Sequence, residues 1–469
     1  MIKTGINKGF SASIMFFLSC MLLFFSASLI FSQEKINNTQ QQEKQQEKQQ
    51  DNKIKIIKVE DAIKMAVSEN LLLKAQKHSL ATKKRSNDTR FNALAPTATL
   101  STALAKPNEI QAPTADHWNL SWQLNAQLVL SAAIINGIKY LAQDYELGLI
   151  NYADAESSLK RNVKKLFYSL LVLEENVKVM QSTIELAEKS YRQADINFRN
   201  GLASELDRLQ AQVTLESLKP DFVEAVNSFQ SSMLSFKEIL GIEIGDNIKL
   251  EGVIEPEIYK LDIDNLVFSS LSNRFDVRRI VQQIKLLNTD FSAAKNSRIP
   301  SLILGYSKNM VFANDPFKDD IGENDAWHDS TGRFSIALSL DIMSLLPFLS
   351  KDTEIKNKKD RVMESETALT SAIRQADIQI RTIAMSMEKS INKINSLELN
   401  EKLAKRSYEL AFQGYNAGTV ELLTLEKAMN QLLESRVRIL QEKYNYQASL
   451  LDLEYAINKP LEDLNEKKN

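Results

Sequence analysis

The side chains that most often carry catalysis or hold metal ions are few in this sequence and lie far apart. Its three histidines are His78, His117 and His328, and its only cysteine is Cys20. None of them has the spacing of a metal-ligand set, and the chain contains no Walker-type loop, GxGxxG, HExxH or GxSxG motif. We therefore expect neither an enzyme nor a cofactor or metal site. The net charge of −2 also argues against a basic surface for nucleic acid.

The residues that stand out are small groups around two glycines, because these groups occur twice. The segments FRNGLAS and YNAGTVE superpose at a constant offset of 217 positions, which places Gly201 on Gly418. The same offset relates Leu240 to Ile457 near the end of each half. We therefore predict an internal two-fold repeat in which each half is one structural unit.

Glycine and proline are scarce, with 13 and 9 in 469 residues, and their positions delimit long helices. The predicted helices are 59–95, 131–198 and 203–240 in the first half, and 261–299, 350–415 and 420–457 in the second. Apolar residues from Phe222 to Leu240 and from Ile439 to Ile457 follow the 3.5-residue spacing of a coiled coil. Pro220 interrupts the first of these helices and is expected to kink it. The middle helix of each half would extend about 100 Å and pair with the shorter ones as a long hairpin.

Between the helices, segments with alternating polar and apolar residues predict β-strands. The predicted strands are 97–105, 119–130, 301–307 and 333–341, one pair in each half. The intervening segments 106–118 and 308–331, the second of them acidic, are predicted loops. All three tryptophans, Trp118, Trp122 and Trp327, lie in or beside these strands, as in the aromatic girdle of a membrane barrel. Four strands cannot close a barrel, so membrane strands would require several copies of the chain to assemble. The alternative is a small sheet that packs one face on the helices and exposes the other to water.

The amino terminus is typical of a secretory signal followed by a polar spacer. The apolar stretch from Ile14 to Phe31 is also long enough to serve as an uncleaved membrane anchor. Cys20 lies inside this stretch, in a context that fits a lipid-anchored site poorly. The predicted organisation is a signal peptide at 1–32, a disordered Gln/Glu/Lys-rich linker at 33–54, a first repeat at 55–241, a segment between repeats at 242–260, a second repeat at 261–458 and a tail at 459–469.

The duplicated glycine motif and the repeated order of helix, strand pair, long helix and return helix resemble the TolC-like outer-membrane efflux protein family, over about residues 55–460. The resemblance implies a mainly α homotrimer with a twelve-stranded barrel in the outer membrane and an α-helical barrel in the periplasm. It also implies that the glycine turns form a periplasmic tip on which a periplasmic adaptor docks, and through it an inner-membrane pump. The implied docking positions are Phe198, Gly201, Leu202, Ser204, Tyr415, Gly418 and Thr419.

In relatives of that family, a ring of acidic side chains just past the second glycine constricts the tip. The matching positions here are Thr424 and Lys427, which departs from the family pattern. Glu421 and Glu426 are close by, and Asp207 is the first-half equivalent of Thr424. A constriction formed by Asp207, Glu421, Thr424 and Lys427 would therefore differ from a cation-binding acidic ring, and an ion-pair latch through Lys427 is a hypothesis.

The function that we infer is a passive exit duct, the outer-membrane component of a tripartite efflux pump or of a type I secretion system. Outer-membrane lipid would surround the strands, and a large portion of the chain would lie in the periplasm. The strand residues expected to line the lumen are Ser121, Gln123, Asn125, Arg333, Ser335 and Ser339. The alternative is a periplasmic coiled-coil scaffold that is held by an uncleaved N-terminal helix and carries a small soluble sheet.

Overall fold

A computed structural model gives the fold of most of the chain. The residues that it describes are 55–106, 118–255, 257–259, 261–312, 314–319, 321, 327–329, 332–347 and 349–461. The predicted signal peptide, the predicted linker up to residue 54, Cys20 and His117 lie outside the described residues. The last eight residues of the predicted tail, 462–469, lie outside them as well.

The chain divides into two compact units. Among the described residues, the smaller unit comprises Lys55, Ile56 and Gly245–Lys249, and in it the Lys55 amide donates a hydrogen bond to the Asn247 carbonyl at 3.0 Å. The larger unit comprises Ile57–Ile244 and Leu250–Asn469. All the α-helices described below belong to the larger unit.

The helices follow the same order in both halves, as the sequence repeat predicts. In the described part of the chain they are α1 (Val59–Glu69), α2 (Leu71–Asp88), α3 (Ala132–Arg199), α4 (Glu205–Leu240), α5 (Ile263–Ser270), α6 (Phe275–Asn296), α7 (Ser350–Asn416) and α8 (Leu422–Ile457). Helices α3 and α7 contain 68 and 67 residues, and α4 and α8 contain 36 each. The mainly α class and the internal repeat are therefore confirmed.

The prediction of one continuous first helix in each half is wrong. Asn70 separates α1 from α2, because its side-chain oxygen accepts a hydrogen bond from the Leu73 amide at 3.0 Å and so caps α2. Its side-chain nitrogen donates to the Ile239 carbonyl at 3.1 Å, which ties the break to the end of α4. After α2 the chain continues as a 3₁₀ turn at Arg90–Leu94. In the second half, residues 271–274 separate α5 from α6.

The long helices form two hairpins, α3 with α4 and α7 with α8, and α3 also packs on α8. The predicted coiled-coil seams are confirmed, since Phe236, Leu240 and Tyr446 are fully buried. The helix α4 runs without a break through Pro220. The prediction that Pro220 interrupts it is therefore wrong, while the kink stays a prediction.

The strands in the described residues are β1 (Lys55–Ile57), β2 (Thr97–Ala105), β3 (Asn119–Leu130), β4 (Ile248–Leu250), β5 (Ser301–Phe312), β6 (Trp327–Asp329) and β7 (Arg333–Ser339). The main sheet is antiparallel and has the order β2-β3-β5, with β6 and β7 both pairing β5. Because β6 and β7 pair successive stretches of β5, they occupy one position, and the sheet is four strand positions wide.

Part of the segment 308–331 is strand rather than the predicted loop. Strand β5 continues to Phe312, because its last residues pair with the start of β3, from Leu124 opposite Lys308 to Leu120 opposite Phe312. The three residues of β6 pair this same extension. The register along β3, which lies far away in the sequence, therefore sets the length of β5.

A buried cluster near the two helical turns joins both halves. It contains small and large side chains from all four long helices, among them Ala194 on α3, Leu215 on α4, Tyr408 on α7 and Met429 on α8. Each hairpin therefore packs on the other as well as on itself. Across the described residues, we find no helix with both the length and the apolar character that crossing a membrane requires.

Candidate functional site

The turn between α3 and α4 closes the first hairpin. The Gly201 amide donates to the Phe198 carbonyl at 3.0 Å, and the Leu202 amide donates to the Asn197 carbonyl at 2.7 Å. Gly201 has a φ of +72°, a left-handed conformation that glycine adopts without a steric penalty. These two hydrogen bonds satisfy the last carbonyls of α3 and reverse the chain.

The turn between α7 and α8 has the same geometry at the offset of 217 residues. The Gly418 amide donates to the Tyr415 carbonyl at 3.1 Å, and the Thr419 amide donates to the Gly414 carbonyl at 2.9 Å. Gly418 also has a φ of +72°. A Cβ built on either glycine would meet no atom within 4 Å, so the backbone of both turns is unobstructed.

The return helices that follow the two turns begin differently. Ser204 and Asp207 form a reciprocal capping box at the start of α4. At the start of α8 the equivalent residues are Glu421 and Thr424, and Glu421 makes no side-chain hydrogen bond to the helix. The carboxylate of Asp207, which we predicted to belong to a tip constriction, is thus held locally as a helix cap.

The other predicted constriction residues, Glu421, Thr424 and Lys427, are exposed. Lys427 makes no ion pair with any other described residue of its own chain, so the structure contains no latch of the kind that we hypothesised within one protomer. The nearby Glu426 is instead buried, with an exposed fraction of 8%.

The sequence analysis did not identify the two residues that bind Glu426. Gln210 donates to the Glu426 carboxylate at 3.0 Å, and Thr214 donates to its second oxygen at 2.6 Å. These bonds join α4 to α8 and leave a carboxylate with neutral partners in the hairpin interface. At the repeat offset of 217, Gln210 corresponds to Lys427. This difference between the two halves was the one sign in the sequence that Gln210 has a role of its own.

The predicted docking positions divide into packed and exposed groups. Tyr415 lies in the buried cluster, and its burial, followed by the charge of Asp207, raises the pKa of its hydroxyl. Phe198 is half-buried under the guanidinium of Arg208, which is 5.1 Å from the ring centroid. The exposed positions are Gly201, Leu202, Ser204, Gly418 and Thr419.

The strand register brings all six predicted lumen residues to one face of the main sheet. Directly paired residues of antiparallel strands share a face. Odd-numbered residues pair with odd-numbered residues across β2, β3, β5 and β7, so this face carries the polar side chains. The predicted residues on this face, here called the polar face, are Ser121, Gln123, Asn125, Arg333, Ser335 and Ser339.

The polar face includes further residues that the sequence analysis did not single out. They include Thr97, Thr99, Ser101, Asn119, Gln127, Ser301, Ser307, Asn309 and His328. The same alternation, applied to β2 and β5 as it was to β3, would have found most of them. His328 was not recognisable, because its strand β6 has only three residues and is placed by its pairing with β5.

The opposite, even-numbered face is apolar, and we call it the apolar face. In β7 it presents Phe334, Ile336 and Leu338, which are 85%, 78% and 73% exposed. Trp122 and Trp327 also lie on it, with ring centroids 6.4 Å apart in an edge-on arrangement. Lys308 is an exception, a half-buried cation beside these apolar side chains. An exposed apolar surface of this kind marks a site that contacts lipid or another molecule.

No group of three or more His, Cys, Asp or Glu side chains within the described residues has the arrangement of a metal site. His78 lies on α2, and His328 lies on β6. The features that remain as candidate functional surfaces are the two glycine turns and the two-faced sheet.

Comparison with known proteins assigns the family. The family model for the outer membrane efflux protein matches residues 62–242 and 266–459, which are the two repeats. The chain belongs to the outer membrane efflux protein family. As a member of this family it resides in the outer membrane with a large periplasmic portion, and it serves as an exit duct in efflux or secretion. Family and fold are those of passive channels.

Two characterised relatives cover much of the chain. Outer membrane protein TolC of Vibrio cholerae serotype O1 is 24% identical over 313 residues, which are 65% of this chain and 69% of that protein. Toxin and drug export protein A of Aggregatibacter actinomycetemcomitans is 24% identical over 314 residues. That match covers 64% of this chain and 59% of the relative.

Solved channel structures share the fold. The CusC channel superposes with a TM-score of 0.73 at 15% identity, over 85% of this chain and 91% of that one. The Campylobacter jejuni CmeC outer membrane channel gives a TM-score of 0.72 at 18% identity, over 85% of each chain. The arrangement of two helical hairpins and a small sheet is therefore that of known outer-membrane channels.

Proposed function

We propose that this chain forms, as a homotrimer, the exit duct of a tripartite efflux pump or of a type I secretion system. It would conduct cargo passively from a periplasmic adaptor and an inner-membrane pump to the exterior. The observation that carries this proposal is the two-faced sheet, whose strand β3 ends at Leu130 and leads directly into α3 at Ala132. A polar face on one side and an exposed apolar face on the other suit a wall between water and lipid.

The sheet supports a trimer because its outer strands are β2 and β7. Outer strands present unpaired backbone groups, which cannot remain unpaired in lipid. Four strand positions in each of three copies give twelve strands, and β7 of one copy would pair with β2 of the next. The polar face would then enclose the lumen, and the apolar face would contact outer-membrane lipid.

The helices support the same assembly. Helix α3 packs on α4 and α8, and α8 packs on α7. The four long helices therefore lie side by side in the order α4, α3, α8, α7, with α4 and α7 at the two ends. Both carry exposed apolar residues at coiled-coil spacing on the side opposite their buried residues, at 100° per residue. On α4 these residues are Leu206, Leu209, Val213, Val223 and Leu234, and on α7 they are Ile378, Met385, Leu399, Leu403 and Leu410.

These two rows of exposed apolar residues, here called the uncovered seams of α4 and α7, lie at matching distances from the glycine turns. Leu209 lies eight residues after Gly201, and Leu410 lies eight residues before Gly418. Leu234 and Met385 each lie 33 residues from those glycines. Because α4 and α7 run in opposite directions, α4 of one copy and α7 of the next can align as an antiparallel pair and close a ring of twelve helices.

The glycine turns are the proposed docking positions for the adaptor. Both turns are open, and Leu202 exposes 77% of its surface there. The proposed contact residues remain Phe198, Gly201, Leu202, Ser204, Tyr415, Gly418 and Thr419. A Lys427 latch, if the closed tip has one, would have to use an acidic residue of a neighbouring copy. No catalytic step belongs to this proposal.

Conductance and location test the duct. The protein purified from the outer-membrane fraction should run as a trimer in detergent and conduct ions in planar bilayers. Extraction by carbonate as a non-conducting monomer would overturn the duct and favour the periplasmic scaffold.

Cysteine labelling tests the orientation of the sheet. In a Cys20→Ser background, Gln123→Cys should react with a membrane-impermeant maleimide in outer-membrane vesicles, because residue 123 would face water. Leu124→Cys is the matched neighbour on the apolar face and should stay unlabelled. Equal labelling at both positions would contradict the proposed wall between water and lipid.

Cross-linking tests the docking of the adaptor. A photo-reactive residue at Leu202 should capture a periplasmic protein with helical hairpins, and the same probe at the midpoint of α4 should not. Leu202→Glu should reduce export while the trimer remains intact, because it places a charge in the contact.

A further inference from the structure

We propose that Arg333 sets the ion preference of the channel and makes it conduct anions better than cations. This inference rests on the proposed exit-duct function, because it needs the polar face to enclose the lumen. It concerns the ion selectivity of that lumen.

Arg333 is the only charged side chain on the polar face among the described residues of β2, β3, β5 and β7. The register places it opposite Ser307, which pairs on its other side with Asn125, and Asn125 pairs with Thr99. The row across the sheet is therefore one cation beside three neutral polar side chains. Among the described residues, the other titratable group on this face is His328, which lies towards the far end of β5, opposite Val311.

The guanidinium of Arg333 is not neutralised within the described residues. It is exposed and makes no ion pair or side-chain hydrogen bond with them. The charge therefore remains available to ions in the lumen.

The position along the strand favours an effect on permeating ions. Ser307 is the seventh of the twelve residues of β5, so the Arg333 row lies near mid-height of the sheet. The acidic residues Asp315 and Asp319 lie beyond Phe312, at least five residues away, which is about 17 Å along a strand. That distance exceeds the Debye length of about 10 Å at 0.1 M salt.

Geometry brings three such charges close to every ion. Twelve strands spaced about 4.8 Å apart and tilted by about 40° enclose a ring about 24 Å across the backbone. An arginine from each copy reaches about 6 Å inward, so an ion on the axis at the height of the Arg333 row passes within one Debye length of all three charges at 0.1 M salt. Rings of Arg or Lys are the usual source of anion selectivity in pores.

Lys308 provides a matched control. It follows Ser307 directly, so it has the same sign of charge at the same height, but it lies on the apolar face. A lysine there keeps its stem along apolar side chains and directs its ammonium away from the lumen. Removing its charge should leave ion selectivity unchanged.

Reversal potentials in planar bilayers, under a roughly tenfold KCl gradient with about 0.1 M salt on the dilute side, test the inference. The wild-type channel should show a chloride-to-potassium permeability ratio above one. Arg333→Gln should lower this ratio at least about twofold, Arg333→Glu should bring it below one, and Arg333→Lys should retain it. Trimer mass and single-channel conductance establish that each variant is assembled.

The outcomes separate the inference from the function on which it rests. A wild-type channel that conducts, with the same permeability ratio in Arg333→Gln, would overturn the role of Arg333. A shift of equal size in Lys308→Gln would overturn the assignment of the two faces. A wild-type protein that does not conduct would refute the exit duct, and this inference would fail with it.

Discussion

Ser204 and Asp207 form reciprocal hydrogen bonds at the start of the first return helix, α4. The Ser204 amide donates to the Asp207 carboxylate at 3.0 Å, and the Asp207 amide donates to the Ser204 hydroxyl at 3.1 Å. The equivalent residues after the second turn are Glu421 and Thr424, and Glu421 makes no such cap. The repeat has therefore preserved the turn and changed how the following helix begins.

Removing the first cap should destabilise the tip. Ser204→Ala leaves an amide at the start of α4 without its partner, and we expect a loss of about 1 kcal/mol in unfolding free energy. Limited proteolysis at the turn, together with the thermal midpoint in detergent, measures this loss. Thr424→Ala is the control, because no cap is present to be lost at that end, and an effect as large as that of Ser204→Ala would contradict the argument.

Substituting either turn glycine should lower the stability of the protein through backbone strain alone. Gly201→Ala and Gly418→Ala force a Cβ into the left-handed region although no neighbour obstructs it, which costs about 1 kcal/mol each. Gly137 within α3 also has open space but no positive φ. Gly137→Ala should therefore raise the thermal midpoint while the turn variants lower it. Turn variants that match the wild type in thermal midpoint would exclude the strain.

Glu442 should make the hairpin of α7 and α8 sensitive to acid. Burial by itself would raise the pKa of this carboxyl, but hydrogen bonds from Lys393 and Ser390 and the charge of Lys393 lower it below the usual 4.5. Its contribution to stability is therefore present above pH 4.5 and is lost as the pH falls through the lower, folded-state value. Unfolding free energies of wild type and Glu442→Gln should converge over that range.

Removing the partner of Glu442 tests the same pair at neutral pH. Lys393→Met should cost about 1.5–3 kcal/mol in unfolding free energy, the range for a hydrogen bond to a charged group. Arg438→Met is the control, because Arg438 and Glu434 form an exposed pair on α8 that is worth less than about 1 kcal/mol. Equal losses of unfolding free energy in the two variants would contradict the argument that the buried Glu442 pair is stronger than an exposed pair.

Charge in the uncovered seam of α7 should weaken the trimer. Leu399→Glu would place a carboxylate between α7 and α4 of the next copy, and the lost leucine burial alone costs about 1.5–3 kcal/mol per interface. Native mass spectrometry in detergent should show monomers. Lys402→Glu puts the same group three residues away on a lateral face of α7 and should leave the trimer intact, so dissociation of both variants would refute the proposed pairing.

Local patterns were enough to predict the helical hairpins. The ends of the four long helices agree with the prediction within two residues, because glycine turns and heptad spacing are properties of neighbouring residues. The face of each polar strand residue was equally predictable, since alternation with period two needs only the strand itself. Alternation placed Gln123 and Arg333 on the polar side of their own strands, and the register then brought those sides to one face of the sheet.

The sequence by itself therefore determined the repeated hairpin, its turns at Gly201 and Gly418, and the alternation of its strands. Only the tertiary structure decided which groups from different elements meet. The break at Asn70 depends on the Ile239 carbonyl, the extension of β5 to Phe312 depends on β3, and the burial of Glu426 depends on Gln210 and Thr214. These outcomes rest on contacts between residues far apart in the chain, and no local periodicity encodes them.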